Sequence, residues 1–134
     1  MRTEMPFTAF FAGLFALFFV RLALVVIRMR RTNRVALGAG GVKELEGAIR
    51  AHGNFAEYVP LGLILLGLLE LHGLHPALLV ATGALFALGR VLHATALHRA
   101  DLNLRVRGMM LTFGMLVTMV FMNIFFAARS WLAQ

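Results

Sequence analysis

The chain is 134 residues long, with 60% hydrophobic and only 14% charged side chains, against about 45–50% and about 25% in an ordinary soluble domain. This composition excludes a conventional water-soluble globule, whereas four membrane spans of about 20 residues leave about 50 residues for ends and connections. The formal net charge of +7 comes from basic residues gathered at two connections, not along an aromatic-lined groove, so nucleic acid is not the expected partner.

The first apolar stretch runs from Pro6 to Ile27, broken only by Arg21, and meets a basic cluster that begins at Arg28. Hydrophobicity resumes after Arg21 with no small-residue cleavage site, so the stretch is read as a retained helix over about 6–30 and not as a signal peptide. Gly38, Gly40 and Gly41 then predict a flexible turn. A second helix is predicted over about 42–72, with Gly73 just past its end and Pro76 opening a third over about 76–97. The fourth is placed at about 107–130, where the uncharged interior from Gly108 to Ala128 is by itself long enough to span. The expected fold is all-α: a single integral membrane domain over residues 1–134, four helices in up-down order with short loops.

Arg28, Arg30, Arg31, Arg34, Lys43 and Arg50 crowd the first connection, and Arg99, Arg105 and Arg107 crowd the third. The positive-inside rule places both on the cytoplasmic side, with the His72–Pro76 turn and the termini opposite and Trp131 an interfacial anchor beside Arg129. With no cysteine in the chain, a disulfide or thiolate metal site is excluded, and thiol chemistry requires a sulfur carried in by a ligand. The histidines do not make a metal site, because His72 and His75 lie at the end opposite His93 and His98. No metal is expected.

Ionisable groups inside a span are costly and face a bundle interior or a watery cavity, which singles out Arg21, Glu57 and Arg90. On the second helix Lys43, Glu46, Arg50, Asn54 and Glu57 recur at steps of three and four, one narrow stripe. On the third, Arg90, His93 and Leu97 share a face. One reading is structural, with Glu57 and Arg90 paired between helices and Asn54 as interhelical glue. The other is a site: guanidinium, amide and carboxylate together suit an amphoteric, peptide-like ligand, since arginine forks onto carboxylates while Glu57 accepts from an ammonium. Arg21 stays outside that site, its long stem being able to snorkel. The methionines of the fourth helix are read as adaptable packing.

The stretch Arg50–Pro60 (RAHGNFAEYVP) resembles the second-helix signature of the MAPEG family, the membrane-associated proteins of eicosanoid and glutathione metabolism. Arg50, Asn54, Glu57, Tyr58 and Pro60 match that signature, Gly89–Thr95 (GRVLHAT) is similar to the third helix of prostaglandin-synthesising members, and Arg28 and Arg30 match the basic end of the first. In span count, loop lengths and basic-loop placement the resemblance covers essentially the whole chain. It implies a homotrimer with glutathione held between subunits near the cytoplasmic face, as in a bacterial member of the microsomal glutathione transferase type in the inner membrane. Arg28, Arg50, Asn54, Glu57 and Tyr58 would hold glutathione, Arg90 and His93 would approach from the adjacent subunit's third helix, and Arg105 or Arg107 would lie near the sulfur.

The implied activity is that of a transferase or peroxidase: glutathione thiolate attacking a lipophilic electrophile or hydroperoxide that arrives through the lipid, a detoxification chemistry. An arginine suits that role because a fixed cation favours thiolate over thiol. Leu97 stands where many members carry a tyrosine, which favours the alternative of a non-catalytic lipid- or partner-binding protein with the same fold. A transporter using Glu57 as a protonatable group is less favoured, because Arg50, Asn54 and Arg90 would keep it ionised.

Overall fold

A computed structural model describes residues 4–133. These residues form four helices, α1 (Pro6–Asn33), α2 (Lys43–Leu71), α3 (Pro76–Arg99) and α4 (Leu102–Leu132), with no strand among the described residues. Each helix is long and apolar enough to cross a membrane, and with every backbone bond inside its own segment a helix is one of the few forms that lipid tolerates. α1 packs on α2 and α3, and α4 packs on α3 and α2, while the backbones of α1 and α4 are not neighbours.

Local chemistry accounts for the helix ends. Pro6 and Pro76 occupy first-turn positions of α1 and α3, where a missing N–H costs nothing. The His75 ring accepts from the Ala77 N–H at 3.3 Å and so caps α3. Gly73 adopts φ +81°, a left-handed conformation that its lack of a Cβ permits. The largest departure from the sequence expectation is α4, which begins at Leu102 and not near Arg107. Asp101 is the reason: its carboxylate accepts from the Leu104 N–H at 2.9 Å, a side-chain N-cap that starts the helix at once after the two-residue Ala100–Asp101 connection.

Two kinds of contact hold the helices together. Aromatic side chains fill the α1–α2–α3 region, with Phe15 edge-on to Phe55 at 5.8 Å and to Phe86 at 5.7 Å between centroids. Between α3 and α4 the backbones themselves approach. A Cβ on Gly89 would lie 2.9 Å from Thr112 Oγ1 and 3.0 Å from its backbone nitrogen, and one on Gly108 would lie 2.6 Å from the His93 nitrogen. Small residues at a crossing allow this approach where lipid removes the hydrophobic drive between helices.

Glu70 is fully buried at the C-terminal end of α2. Its Oε1 accepts from the Phe7 N–H at 3.0 Å and its Oε2 from the Thr8 N–H at 2.7 Å. α1 has no side-chain cap of its own, so a carboxylate from another helix satisfies its free donors and faces the positive end of its dipole. Glu70→Ala leaves both donors bare and is expected to destabilise the bundle by about 1–3 kcal/mol, with Glu70→Gln intermediate because it keeps one acceptor. Denaturation in a graded detergent series, followed by loss of helical circular dichroism, measures the difference.

Candidate functional site

The polar stripe of α2 faces a recess of about 190 Å³ lined by Ile49, Arg50, Gly53 and Asn54 with Glu57 from α2, His93 and Leu97 from α3, and Arg105 from α4. Five of the residues singled out in the sequence therefore converge: Arg50, Asn54, Glu57, His93 and Arg105. Arg50, Glu57 and Arg105 are exposed, Asn54 is half-buried and His93 is buried. The recess is thus a charged rim over a floor of less accessible polar groups.

Arg90 lies behind that floor and is absent from the lining. It is fully buried, and its Nη2 donates to Asn54 Oδ1 at 2.6 Å. The guanidinium also sits 5.3 Å from the centre of the Tyr58 ring, within cation–π range, while Nη1 approaches Met109 Sδ of α4 at 4.0 Å. The interhelical partner of Arg90 is Asn54 and not the Glu57 of the structural reading. This bond turns the Asn54 amide: its oxygen is committed to Arg90, so its NH₂ remains free to donate on the recess side.

His93 Nδ1 lies 3.4 Å from the Arg105 carbonyl oxygen. A carbonyl only accepts, so the contact assigns the proton of the neutral ring to Nδ1 and leaves Nε2 as an acceptor. The contact follows from the Gly108 approach, which seats the first turns of α4 directly on His93. Arg90 and His93 thus meet the α2 stripe within one chain.

The early start of α4 separates the arginines that the sequence left as alternatives. Residues two apart on a helix point about 200° from each other. Arg105 lines the recess and Arg107 does not. Tyr58 packs against Arg90 and, edge-on at 5.5 Å, against Phe113, so it too is outside the lining. Arg28 is exposed on α1 and takes no part in the recess. The sequence reading passed over the Gly89–Gly108 approach and the Asp101 cap; the aspartate directly before an apolar run was a legible signal for the cap.

Leu97 forms part of the recess wall, so the position where a tyrosine hydroxyl was missed in the sequence is an apolar surface beside the charged rim. Replacing Arg90 with leucine should free the Asn54 amide to rotate. The expected result is a loss of stability of about 1–3 kcal/mol for leaving the Asn54 oxygen without its donor, together with weaker binding of any ligand that Asn54 contacts. Asn54→Asp, which keeps an oxygen for Arg90 but removes the amide donor, separates the effects: stability is retained and ligand affinity falls.

A sequence model of the MAPEG family matches residues 8–125. Inner membrane protein YecN of Escherichia coli (strain K12) is 34% identical over 119 residues, covering 89% of this chain and 91% of that protein. The protein of the same name in Escherichia coli O6:H1 matches with the same identity and the same coverage.

Proposed function

The chain belongs to the MAPEG family, and from that premise we propose that it binds glutathione in the α2–α3–α4 recess and presents the thiol to lipophilic electrophiles or hydroperoxides, as a transferase or peroxidase. The observation that carries this reading is the convergence of Arg50, Asn54, Glu57, His93 and Arg105 on one recess. That donor set is amphoteric, as is glutathione, which has two carboxylates and one ammonium.

The recess volume of about 190 Å³ falls below the roughly 300–1,000 Å³ of sites that enclose a small molecule. It holds part of a tripeptide, and the remainder extends over the open rim. This supports a homotrimer of single-domain, up-down subunits in which a neighbouring copy closes the rim, with the exposed Arg28 as the contribution of its α1. The arginine-rich connections support a cytoplasmic site, and the inner-membrane name of the relatives supports placement in a bacterial inner membrane.

When bound, glutathione supplies the thiol that this cysteine-free chain lacks. Arg50 forks onto a carboxylate, Glu57 accepts from the ammonium, and the Asn54 NH₂ donates to a peptide or carboxylate oxygen. Arg105 holds a fixed positive charge at the rim, which favours an ionised sulfur over the thiol. Its guanidinium also stabilises negative charge that develops during attack. The exposed apolar surfaces of the helices give a lipophilic partner a path from the lipid to the rim, so proximity is supplied by partition into the bilayer.

A second reading rests on Leu97. With an apolar wall in place of a hydroxyl donor, the same recess serves a non-catalytic protein that binds glutathione or a lipid and presents it to another protein. Titration of the purified, full-length protein with glutathione tests both. Saturable binding with a rise in thiolate absorbance and turnover of an electrophile or hydroperoxide supports the enzyme, and binding without turnover supports the second reading. Absence of binding overturns both glutathione roles. Arg105→Gln is expected to lower the thiolate fraction about tenfold at neutral pH, whereas Arg107→Gln leaves it unchanged.

A further inference from the structure

Arg21 lies inside the first span, seven residues before the basic cluster that starts at Arg28, or about 10 Å deeper along the helix. It takes no part in the glutathione recess. A second recess, of about 320 Å³, opens between α1 and α3 and is lined by Arg21, Thr95, His98 and Arg99 with Phe18 and Leu22 among its apolar walls. No aspartate or glutamate lines it. Its chemistry therefore differs from that of the first recess: it offers cations and a hydroxyl but no carboxylate to pair with an ammonium, so it does not suit an amphoteric peptide.

Arg21 and Arg99 are both exposed, so their charge is open to a ligand. Arg21 rests against the Phe18 ring with its guanidinium carbon 5.9 Å from the centroid, a cation–π contact that steadies the stem while the head stays free. Two guanidinium groups from different helices provide paired donors that match phosphate oxygens, and the Thr95 hydroxyl adds a third. Phe18 and Leu22 are poor company for a small, fully hydrated anion but fit a hydrocarbon chain. About two helical turns from Arg21 and Arg99, the same faces of α1 and α3 carry Leu14 and Val91, which are 47% and 42% exposed. The surface thus passes from cationic to apolar in the order of an amphipathic lipid, phosphate first and acyl chain after.

We propose that the α1–α3 recess is a binding site for an anionic phospholipid, with Arg21 and Arg99 on the headgroup phosphate and the acyl chain lying along Leu14 and Val91. The site is independent of glutathione binding. It gives Arg21 a role that the polar stripe of α2 does not, and it ties α1 to α3 through a bound lipid.

Native mass spectrometry of the full-length protein in a neutral detergent tests the site, with phosphatidylglycerol, phosphatidylcholine and inorganic phosphate as probes. The protein is expected to retain phosphatidylglycerol in preference to phosphatidylcholine. Arg21→Gln and Arg99→Gln are each expected to weaken retention about fivefold, Arg21→Lys to keep most of it, and Arg31→Gln, outside the recess, to leave it unchanged. Glutathione binding by Arg21→Gln stays at the level of the unmodified protein. Equal retention of phosphatidylcholine, displacement of the lipid by inorganic phosphate, or an equal effect of Arg31→Gln each overturns the proposal. Should Arg21→Gln fail to fold, photo-crosslinking of unmodified protein with a photoactivatable phosphatidylglycerol decides: adducts on peptides containing Leu14 or Val91 uphold the site, and adducts confined to other segments refute it.

Discussion

A guanidinium removed from both water and lipid must be held by its neighbours, and the way Arg90 is held organises three of the helices. It is fully buried, donates to Asn54 of α2 at 2.6 Å, lies under the Tyr58 ring and approaches Met109 of α4. Taking a charge out of solvent is expensive unless nearby groups compensate. The compensation here also fixes the direction of the Asn54 amide and withdraws Tyr58 from the recess. Its Nε remains buried without a partner, an imperfection that is tolerated where a group serves a site as well as the fold.

The same helix, α3, serves both recesses. One face carries Arg90, His93 and Leu97 toward α2 and α4, and the other carries Thr95, His98 and Arg99 toward α1. Their chemistry diverges because the carboxylates are distributed unevenly. Glu57 makes the first recess amphoteric, while the α1–α3 recess has cations alone. The buried carboxylate at the far end, Glu70, is committed to the backbone of α1, so it contributes to architecture and not to ligand chemistry. Acidic groups in this chain are few, and their placement decides what each cavity can accept.

Some particulars show where local sequence carried the information and where it did not. The stripe from Lys43 to Glu57 was legible because a helix of fixed pitch puts residues three and four apart on one face, and three of its five residues, Arg50, Asn54 and Glu57, do line the first recess. Which of Arg105 and Arg107 lines the recess was not legible until the register of α4 was known, and that register follows from the Asp101 cap. Glu70 was passed over although it interrupts an apolar run, because its partners are 62 and 63 residues away in the chain. The resemblance implies a ligand role for Arg90; that it is fully covered by neighbouring helices was not legible, because spacing reveals which face a residue occupies but not how deeply another helix covers it.

Composition, hydropathy and charge clustering by themselves determined that the chain forms apolar helices of membrane-spanning length, and the RAHGNFAEYVP stretch determined its family. These are properties of single segments, set by backbone periodicity and by the cost of polar groups in lipid. Which polar groups face a cavity and which are consumed by packing was decided only by the tertiary structure. The approach of Gly89 and Gly108, within 2.6–3.2 Å of partner atoms for a would-be Cβ, depends on two helices meeting at one depth and rotation. No local pattern encodes that depth, because the van der Waals contacts that set it are shared between segments remote in the chain.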